Sequence, residues 1–262
     1  MIRVGVIGAL GRMGRMVCRS VAEDPDLALV AAVDRSGAGQ SVDAPGARVS
    51  VSDDRQTFLQ AEVEVAVEFT HPEAVMDNIR WAIGHAVHLV AGTTGIGPDE
   101  LAEIERLLEG DGRESNVVVA PNFAIGAVLA QRFAADASRF FPAAEIIELH
   151  HDGKADAPSG TALSTARRMA RTRESEYRGP HSESLTGSRG GDLEGIRIHS
   201  VRLPGLVAHQ EVILGGPGQV LTIRHDSMDR ASFMPGVVLA VKEVVRRPGL
   251  TVGLEPLLGL GS

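Results

Sequence analysis

The sequence predicts an α/β fold: a doubly wound parallel sheet, then an α+β domain with a mixed sheet. Short runs of β-branched residues alternate with helical stretches over the first 120 residues, as in parallel βαβ units. A glycine-rich turn, Gly8–Gly14, comes directly after the first run. After Ala120 the runs lengthen, and turn-rich breaks such as Leu203-Pro204-Gly205 separate them.

The elements of the first half follow one another in a regular order. We expect strands at residues 3–7, 27–33, 63–69, 88–91 and 116–120, and helices at residues 13–23, 72–83 and 98–108. Right-handed crossovers would place the carboxyl ends of these strands along one edge of the sheet. Ligands of open α/β sheets bind outside that edge, so functional residues are expected there.

The second half has a different pattern. We expect strands at residues 143–149, 196–203, 205–214 and 220–226, with few helices between them, which favours an antiparallel or mixed sheet. Residues 172–195 are polar and rich in Gly, Ser, Arg and Glu, which predicts a surface loop, the alternative being a mobile lid. Helical periodicity returns at residues 234–245.

Composition argues against several classes of protein. The 262 residues are 44% hydrophobic and 23% charged, typical of a globular chain. The net charge of −8 and the 3% aromatic content argue against a nucleic-acid partner, which favours basic surfaces or aromatic platforms. One cysteine, Cys18, cannot form an intrachain disulfide, and no apolar run has the length of a membrane span. We therefore expect a cytoplasmic protein with neither a membrane nor a nucleic-acid partner.

The glycine-rich turn has the form of a nucleotide-binding loop. Gly8 permits a tight turn, Gly11 lets the backbone approach a pyrophosphate, and Gly14 lets the following helix pack against the strand. The start of that helix offers N–H groups to phosphates. The spacing G-x-x-G-x-x-G is a variant of the usual G-x-G-x-x-G. It favours a Rossmann-type dinucleotide site, the alternative being a glycine-rich strand end with a structural role only.

The end of the second strand bears on the choice of dinucleotide. Asp34 lies somewhat farther from Gly8 than the roughly 20 residues usual for the acid that binds the adenosine ribose. Its carboxylate favours NADH, whereas Arg35 and Arg12 favour the 2′-phosphate of NADPH. Because both features are present, the sequence predicts weak discrimination between the two.

Two later strand ends carry small or polar residues on the same expected edge. They are Gly92-Thr93-Thr94 and Ala120-Pro121-Asn122-Phe123. We expect the first of them to hold the nicotinamide half of the cofactor. The alternative is an ordinary turn between a strand and a helix.

The largest cluster of candidate catalytic and anion-binding residues follows the strand expected at residues 143–149. Two adjacent histidines and a lysine precede a helix start whose free N–H groups suit an anion, and these residues are His150, His151, Lys154, Gly160 and Thr161. Histidine is a common general acid because its ordinary pKa lies near neutral pH. The segment therefore predicts a carboxylate-binding site beside a proton donor.

A metal site is the rival interpretation of the histidine pair. Adjacent residues of a strand point to opposite faces, so neighbouring histidines rarely share one metal ion. Cysteine is scarce, and the sequence has no H-E-x-x-H motif. We therefore predict no metal and prefer the acid–base interpretation.

The same segment resembles a known family, 4-hydroxy-tetrahydrodipicolinate reductase, also called dihydrodipicolinate reductase. The resemblance rests on Glu148-Leu-His150-His151 followed by Lys154-Ala-Asp-Ala-Pro-Ser159-Gly160-Thr161-Ala162. Supporting motifs are Gly8–Gly14, residues 69–72, 92–95, 120–123, 205–211 and 221–227. Residues 248–256 are similar to actinobacterial members in particular. The resemblance therefore spans nearly the whole chain.

The resemblance implies an activity and roles for single residues. The reaction would be the NAD(P)H-dependent reduction of 4-hydroxy-tetrahydrodipicolinate to tetrahydrodipicolinate, in the diaminopimelate route to lysine. His150 would be the proton donor and acceptor and Lys154 a second proton donor, with His151, Gly160 and Thr161 binding a substrate carboxylate. The cofactor, NADH or NADPH, would be bound by Gly8, Ala9, Leu10, Gly11, Arg12, Met13, Asp34, Arg35, Gly92, Thr93, Thr94, Ala120, Pro121, Asn122 and Phe123.

The resemblance also implies an organisation of the chain. A dinucleotide-binding domain, residues 1–123 plus 233–262, would flank a substrate-binding and oligomerisation domain, residues 124–232, and the protein would be a homotetramer. The chain departs from the family pattern at Leu10, often Gly or Lys, and at Asp34, often Glu. It departs again at Gly153, where a third histidine is common.

Two other functions compete with this interpretation. Another two-domain amino acid or amino-aldehyde dehydrogenase would share the N-terminal half but would not need the segment from His150 to Thr161. A dinucleotide-sensing protein would bind NADH without oxidising it.

Overall fold

The computed structural model describes residues 1–110, 114–174 and 182–260. The chain divides into two compact units, Met1–Phe123 with Phe233–Ser262, and Ala124–Ser232. The first is built on a parallel-rich sheet and the second on a mixed sheet. The predicted α/β fold class is confirmed.

The first unit alternates strands and helices. Its elements are β1 (Ile2–Ile7), α1 (Arg12–Glu23), β2 (Leu27–Val33), β3 (Ser41–Ala44), β4 (Ala47–Ser52), α2 (Gln56–Gln60), β5 (Val65–Glu68), α3 (Pro72–Gly84), β6 (His88–Ala91), α4 (Pro98–Glu109), β7 (Val117–Val119), α7 (Met234–Val244) and β13 (Leu250–Val252). The strand order is β13-β7-β6-β5-β1-β2-β4-β3. All neighbours are parallel except β3 and β4.

The central strands of this sheet consist mainly of continuous apolar runs because helices cover the faces of the sheet. All four residues of β5 and the last four of β1 are buried. Ile79 and Ile83 of α3 and Ile104 of α4 are buried in the same core. Proline begins both helices, where its missing N–H costs no hydrogen bond.

The chain returns to the first unit after residue 232. Strand β13 pairs in parallel with β7. The side chain of Asn116 stabilises the packing of this C-terminal segment. Its Nδ2 donates to the carbonyl of Val244 at 2.9 Å, and its Oδ1 accepts from the N–H of Gly249 at 3.1 Å. One side chain therefore holds both α7 and the turn before β13.

The second unit has one five-stranded sheet and two helices. Its elements are α5 (Ile125–Ser138), β8 (Ala143–His150), α6 (Gly160–Thr172), β9 (Gly191–Leu193), β10 (Ile196–Arg202), β11 (Ala208–Gly216) and β12 (Gln219–Ser227). The order is β12-β11-β8-β10-β9, and among the pairs β8 and β10 run parallel. Ile146, Ile198 and Leu214 of the sheet pack with Met169 of α6 in the core.

Several parts of the fold differ from the sequence predictions, which also lacked α2 and β13. Helix α5 was not expected, because apolar residues such as Phe133, which is 53% exposed, also lie outside its buried face and weaken the apolar stripe. The hairpin of β3 and β4 was not expected either, since few of its residues are buried. In the predicted loop at 172–195, residue 172 ends α6 and Gly191–Leu193 form β9. Residues 182–190 are turns and bends, and 175–181 lie outside the described residues.

None of the described helices combines the length and the apolar character that crossing a membrane requires.

Candidate functional site

The glycine-rich loop brings backbone atoms too close together for side chains. Gly8 has φ +80°, and a Cβ on it would lie 2.3 Å from the carbonyl oxygen of Phe69. A Cβ on Gly14 would lie 2.0 Å from the carbonyl oxygen of Gly8. Real Cβ atoms do not approach so closely, so only glycine fits either position. The loop therefore leads β1 into α1 with the helix start exposed to a ligand.

Asp34 lies at the end of β2 and is tied to this loop. Its Oδ2 accepts a hydrogen bond from the N–H of Leu10 at 3.0 Å, and its Oδ1 accepts from the N–H and hydroxyl of Ser36. Burial acts to raise the pKa of Asp34, but the hydrogen bonds from Ser36 and Leu10 outweigh it and lower that pKa. The cleft beside the loop therefore has a fixed negative charge at its wall.

That cleft has a volume of about 910 Å³ and follows the carboxyl ends of the parallel strands. It gathers nine of the predicted cofactor residues, namely Gly8, Gly11, Arg12, Met13, Asp34, Arg35, Gly92, Thr93 and Thr94. The structure thus assembles into one cavity segments that are far apart in sequence. This is the position expected for a ligand of an open α/β sheet.

Six predicted cofactor residues do not line the cleft. Ala9, Ala120 and Phe123 are buried, Leu10 and Asn122 are half-buried, and Pro121 is exposed. Phe123 packs instead against Phe69, with ring centroids 5.7 Å apart. The sequence analysis did not select several residues that do line the cleft: Ser36, Asp53, Arg55, Thr70, His71 and Asn78. Thr70 and His71 follow β5 directly, so the strand-end criterion identifies them.

A buried carboxyl group lies behind the threonines of the cleft. Glu68 at the end of β5 accepts hydrogen bonds from the hydroxyl of Thr70 and from Asn78 Nδ2. Burial raises the pKa of Glu68 despite these bonds. The N–H of Thr70 donates in turn to Thr93 Oγ1 at 2.8 Å. These contacts join the ends of β5 and β6 into one rigid wall.

The second unit places His150 at the end of β8, beside a buried carboxylate. Glu148 is two residues earlier on the strand and is 0% exposed. His150 Nδ1 lies 2.5 Å from Glu148 Oε2. Arg202 of β10 lies opposite His150 in the sheet and donates to both carboxylate oxygens, at 2.9 and 2.8 Å. Burial acts to raise the pKa of Glu148, but hydrogen bonds from His150 and Arg202 outweigh it and lower that pKa to about 2.

The start of α6 lies next to the same carboxylate. The N–H of Ser159 donates to Glu148 Oε1 at 3.3 Å, and Ser159 Oγ caps the helix by accepting from the N–H of Ala162 at 3.2 Å. Gly160 and Thr161 are the first two residues of the helix, where N–H groups have no partner within the helix. The geometry therefore gathers His150 and the predicted anion-binding turn around one carboxylate.

The two remaining predicted residues lie in the connection from β8 to α6. Lys154 Nζ pairs with Asp156 Oδ1 at 2.6 Å, and hydrogen bonding to Lys154 lowers the pKa of Asp156. His151 is exposed and is followed by a turn in which the N–H of Lys154 donates to its carbonyl at 3.2 Å. Through the described parts of the chain, no three His, Cys, Asp or Glu side chains converge as metal ligands do.

Glu148 and Arg202, which contact His150 or its carboxylate partner, were not among the site residues predicted from the sequence. The i, i+2 spacing of Glu148 and His150 on a strand already places both side chains on one face. Arg202 gives no comparable signal, because its contact depends on the pairing of β10 with β8, more than fifty residues apart.

A parallel sheet with a glycine-rich loop and a strand-end cleft, followed in the chain by a second unit with a mixed sheet, is the organisation of a nicotinamide-dependent oxidoreductase. Two family descriptions match it: "Dihydrodipicolinate reductase, N-terminus" over residues 2–123 and "Dihydrodipicolinate reductase, C-terminus" over residues 126–258. The chain belongs to the dihydrodipicolinate reductase family.

Curated relatives agree with this assignment. The chain is 50% identical to the 4-hydroxy-tetrahydrodipicolinate reductase of Nocardia farcinica, over 99% of each chain. It is 52% identical to the enzyme of the same name from Cutibacterium acnes, over 99% of this chain and 100% of the relative. The predicted resemblance to actinobacterial reductases is confirmed. The reaction is therefore the NAD(P)H-dependent reduction of 4-hydroxy-tetrahydrodipicolinate in lysine biosynthesis.

Solved structures give the same result. The dipicolinate-bound dihydrodipicolinate reductase of Paenisporosarcina sp. TG-14 is 40% identical, with a TM-score of 0.86 over 98% of this chain and 99% of that one. An amine dehydrogenase from Mycobacterium smegmatis has a TM-score of 0.63 at 14% identity, over 95% and 94% of the two chains, which shows a common fold alone. The other dehydrogenase and the sensor considered above are thereby set aside.

Proposed function

We propose that His150 is the proton donor of this reduction and that the substrate binds in the unit Ala124–Ser232. The observation that supports this most directly is the shared partner Glu148, which hydrogen-bonds both His150 Nδ1 and the N–H of Ser159. A proton donor and a helix start with free N–H groups are thus held side by side. A substrate ring that carries carboxylates needs a proton donor for its reduction and N–H groups that bind a carboxylate.

The substrate's two carboxylates need two positively polarised sites. We assign one to the start of α6, where the N–H groups of Gly160 and Thr161 and the His151 side chain bind it. Lys154 supplies the second positive charge and is a second proton donor. Dipicolinate, the ligand of the Paenisporosarcina reductase, is a planar dicarboxylate of the same kind.

The cofactor fits the first unit. Gly8 and Gly14 allow the close backbone packing of a strand–turn–helix loop, the kind of loop that binds a pyrophosphate in dinucleotide-binding folds. We assign the cofactor to Gly8–Met13, Asp34, Arg35, Gly92–Thr94 and Ala120–Phe123, so that Met1–Phe123 with Phe233–Ser262 is the dinucleotide-binding domain. When bound, NADH or NADPH supplies the hydride. The protein's part is to orient the reactants and to deliver the proton.

The substitution His150→Gln tests the assignment. It removes the titrating group and keeps a polar side chain, so kcat should fall by about 10² to 10⁴-fold while the Kd for NADH stays unchanged. The matched control is His199→Gln, which removes a histidine of β10 bound to Glu145 in the same sheet and should leave kcat intact. Wild-type turnover in His150→Gln would refute the proposal.

We also propose a cytoplasmic homotetramer that acts on a small molecule and binds no nucleic acid or membrane. Strand β12 is the outer strand of its sheet, and its Val220 and Leu221 are 68% and 38% exposed. Exposed apolar residues on an outer strand form a surface that a second copy covers in many assemblies. Val220→Lys should therefore lower the mass found by sedimentation equilibrium. Wild-type protein that sediments as a monomer would refute the assembly.

A further inference from the structure

The strand that carries His150 also carries a buried carboxylate to which the proposed function gives no role in the chemistry. Glu148 lies on the same face of β8 as His150 and receives hydrogen bonds from three segments: β8 itself, β10 and the start of α6. Buried carboxylates are costly unless hydrogen bonds and counter-charges satisfy them. A fully buried glutamate at this point therefore calls for a function that offsets its cost.

We infer that Glu148 is a positioning residue for the reduction. It holds the ring of His150 in the tautomer protonated on Nδ1, so that Nε2 is the nitrogen that exchanges the proton with substrate. Through Ser159 it also fixes the first turn of α6 relative to that ring. This inference rests on the proposed role of His150.

The hydrogen-bond pattern decides the tautomer. Arg202 donates to both oxygens of Glu148, and its Nη2 also reaches the carbonyl of Asp156 at 2.5 Å. The two-pronged contact with a guanidinium keeps the carboxylate ionised, and an ionised carboxylate only accepts hydrogen bonds. The nitrogen of His150 that faces Glu148 must therefore carry a hydrogen. The same logic orients histidines in acid–base sites whose buried acid does not touch the substrate.

The hydrogen bonds and strand pairs of the described residues identify the charged groups that face His150. Its own strand presents Glu148, and β10 presents Arg202. Strand β11 places the uncharged Ala208 opposite it. In the connection to α6, Lys154 is paired with Asp156. Loss of the charge on Glu148 is therefore the change that alters the electrostatic surroundings of the ring most directly.

The same strand contains an internal comparison. Glu145 contacts a histidine and an arginine as Glu148 does, since His199 Nε2 lies 2.7 Å from it and Arg189 pairs with it. Its side chain, however, is 34% exposed, so water screens the interaction. Glu145→Gln is therefore a matched control that removes a carboxylate from a similar trio outside the proposed site.

The experiment compares Glu148→Gln with Glu145→Gln in the full-length protein. Glu148→Gln should lower kcat about 10²-fold, leave the Kd for NADH within twofold of wild type, and displace the pH profile of kcat/KM to lower pH. Nitrogen-15 NMR of the histidine rings should show His150 protonated on Nδ1 in the wild type and a mixture of tautomers in Glu148→Gln. Glu145→Gln should match the wild type in each measurement.

Two results would overturn the inference. The first is Glu148→Gln protein with wild-type kcat and an unmoved pH profile. The second is a wild-type spectrum with His150 protonated on Nε2, which needs no variant and so decides the matter even if Glu148→Gln does not fold. Failure of the proposed function is distinguishable, because it appears as full turnover in His150→Gln.

Discussion

Asp34 Oδ2 accepts a hydrogen bond from the backbone N–H of Leu10 at 3.0 Å, and this bond joins the end of β2 to the glycine-rich loop. The carboxylate is therefore held as a fixed negative charge at the wall of the cleft. Arg12 and Arg35 line the same cleft with positive charge. If the cofactor binds as proposed, we expect the balance between these charges to set the preference between the 2′-hydroxyl of NADH and the 2′-phosphate of NADPH.

Replacing Asp34 with Asn should shift cofactor preference towards NADPH. The neutral amide has one acceptor oxygen, so it keeps the hydrogen bond from the N–H of Leu10 or the one from the N–H of Ser36, but not both. It no longer repels a 2′-phosphate, so the NADPH-to-NADH ratio of kcat/KM should rise about tenfold, which is about 1.4 kcal/mol. Arg35→Ala should move the ratio in the opposite direction. Arg48→Ala, on β4 outside the cleft, is the control. Equal losses with both cofactors in Asp34→Asn would contradict the assignment.

Gly14→Ala should damage both stability and NADH binding. The added Cβ meets the carbonyl of Gly8 at 2.0 Å, and neither backbone segment can move freely. We expect a loss of about 2 kcal/mol or more in the free energy of unfolding by urea, together with at least tenfold weaker NADH binding by fluorescence titration. Gly110→Ala is the control, since its Cβ meets only ordinary contacts at 3.6 Å. Equal stability and equal NADH affinity in the two variants would contradict the role of Gly14 in the close packing of this loop.

Glu148 should contribute stability that is lost in acid. Its pKa is lowered to about 2 in the folded protein, below an unfolded value near 4.3. The stabilisation is therefore complete above that unfolded value and disappears as the pH falls towards 2, an effect on the order of 3 kcal/mol. Urea unfolding of wild type and Glu148→Gln should give a difference that is larger at pH 6 than at pH 3. A difference independent of pH would contradict the ionised buried carboxylate.

Cys18 should be unreactive in the native protein. It is buried in α1, and burial raises its pKa to about 12, so almost no thiolate forms near neutral pH. A thiol-specific chromogenic reagent at pH 8 should label the protein only after denaturant is added. Rapid stoichiometric labelling without denaturant would show that the packing around α1 is wrong.

Lys154→Met should weaken substrate binding more than cofactor binding. Loss of the ammonium leaves one substrate carboxylate without a counter-charge, so KM for the substrate should rise about tenfold or more, with unchanged Kd for NADH. Lys242→Met provides the control because Lys242 pairs with Asp24 and Asp26 in the first unit. An unchanged KM for the substrate in Lys154→Met would show that Lys154 does not bind the substrate.

Elements with a local hydrophobic pattern were predictable from the sequence. Strands β1, β6 and β8 and helix α3 begin or end within a residue of their expected bounds, because each buries its own apolar face. Helix α5 was missed because Leu129 and Phe133 are apolar but lie outside its buried face, which reduces the contrast between the two faces. The β3–β4 hairpin was missed because most of its residues stay partly exposed, which leaves alternation weak.

The candidate sites, like the strands and helices, were predictable only where the signal is local in the sequence. The strand-end rule found Asp34 and Thr93, since it depends only on where strands stop. It did not find Arg202, because no local pattern shows which strand lies beside β8. The i, i+2 spacing from His150 could have identified Glu148 from the sequence. Its burial and its hydrogen-bond partners are known only from the folded sheet.

The return of the chain to the first unit has a consequence for its synthesis. A ribosome releases residues 124–232 before the segment that forms α7 and β13, so the second sheet is complete while β7 still lacks its outer neighbour. Until Val244 and Gly249 emerge, Asn116 has neither of the backbone partners it binds in the finished fold. The nascent first unit therefore has an unpaired strand edge at β7 until β13 is synthesised.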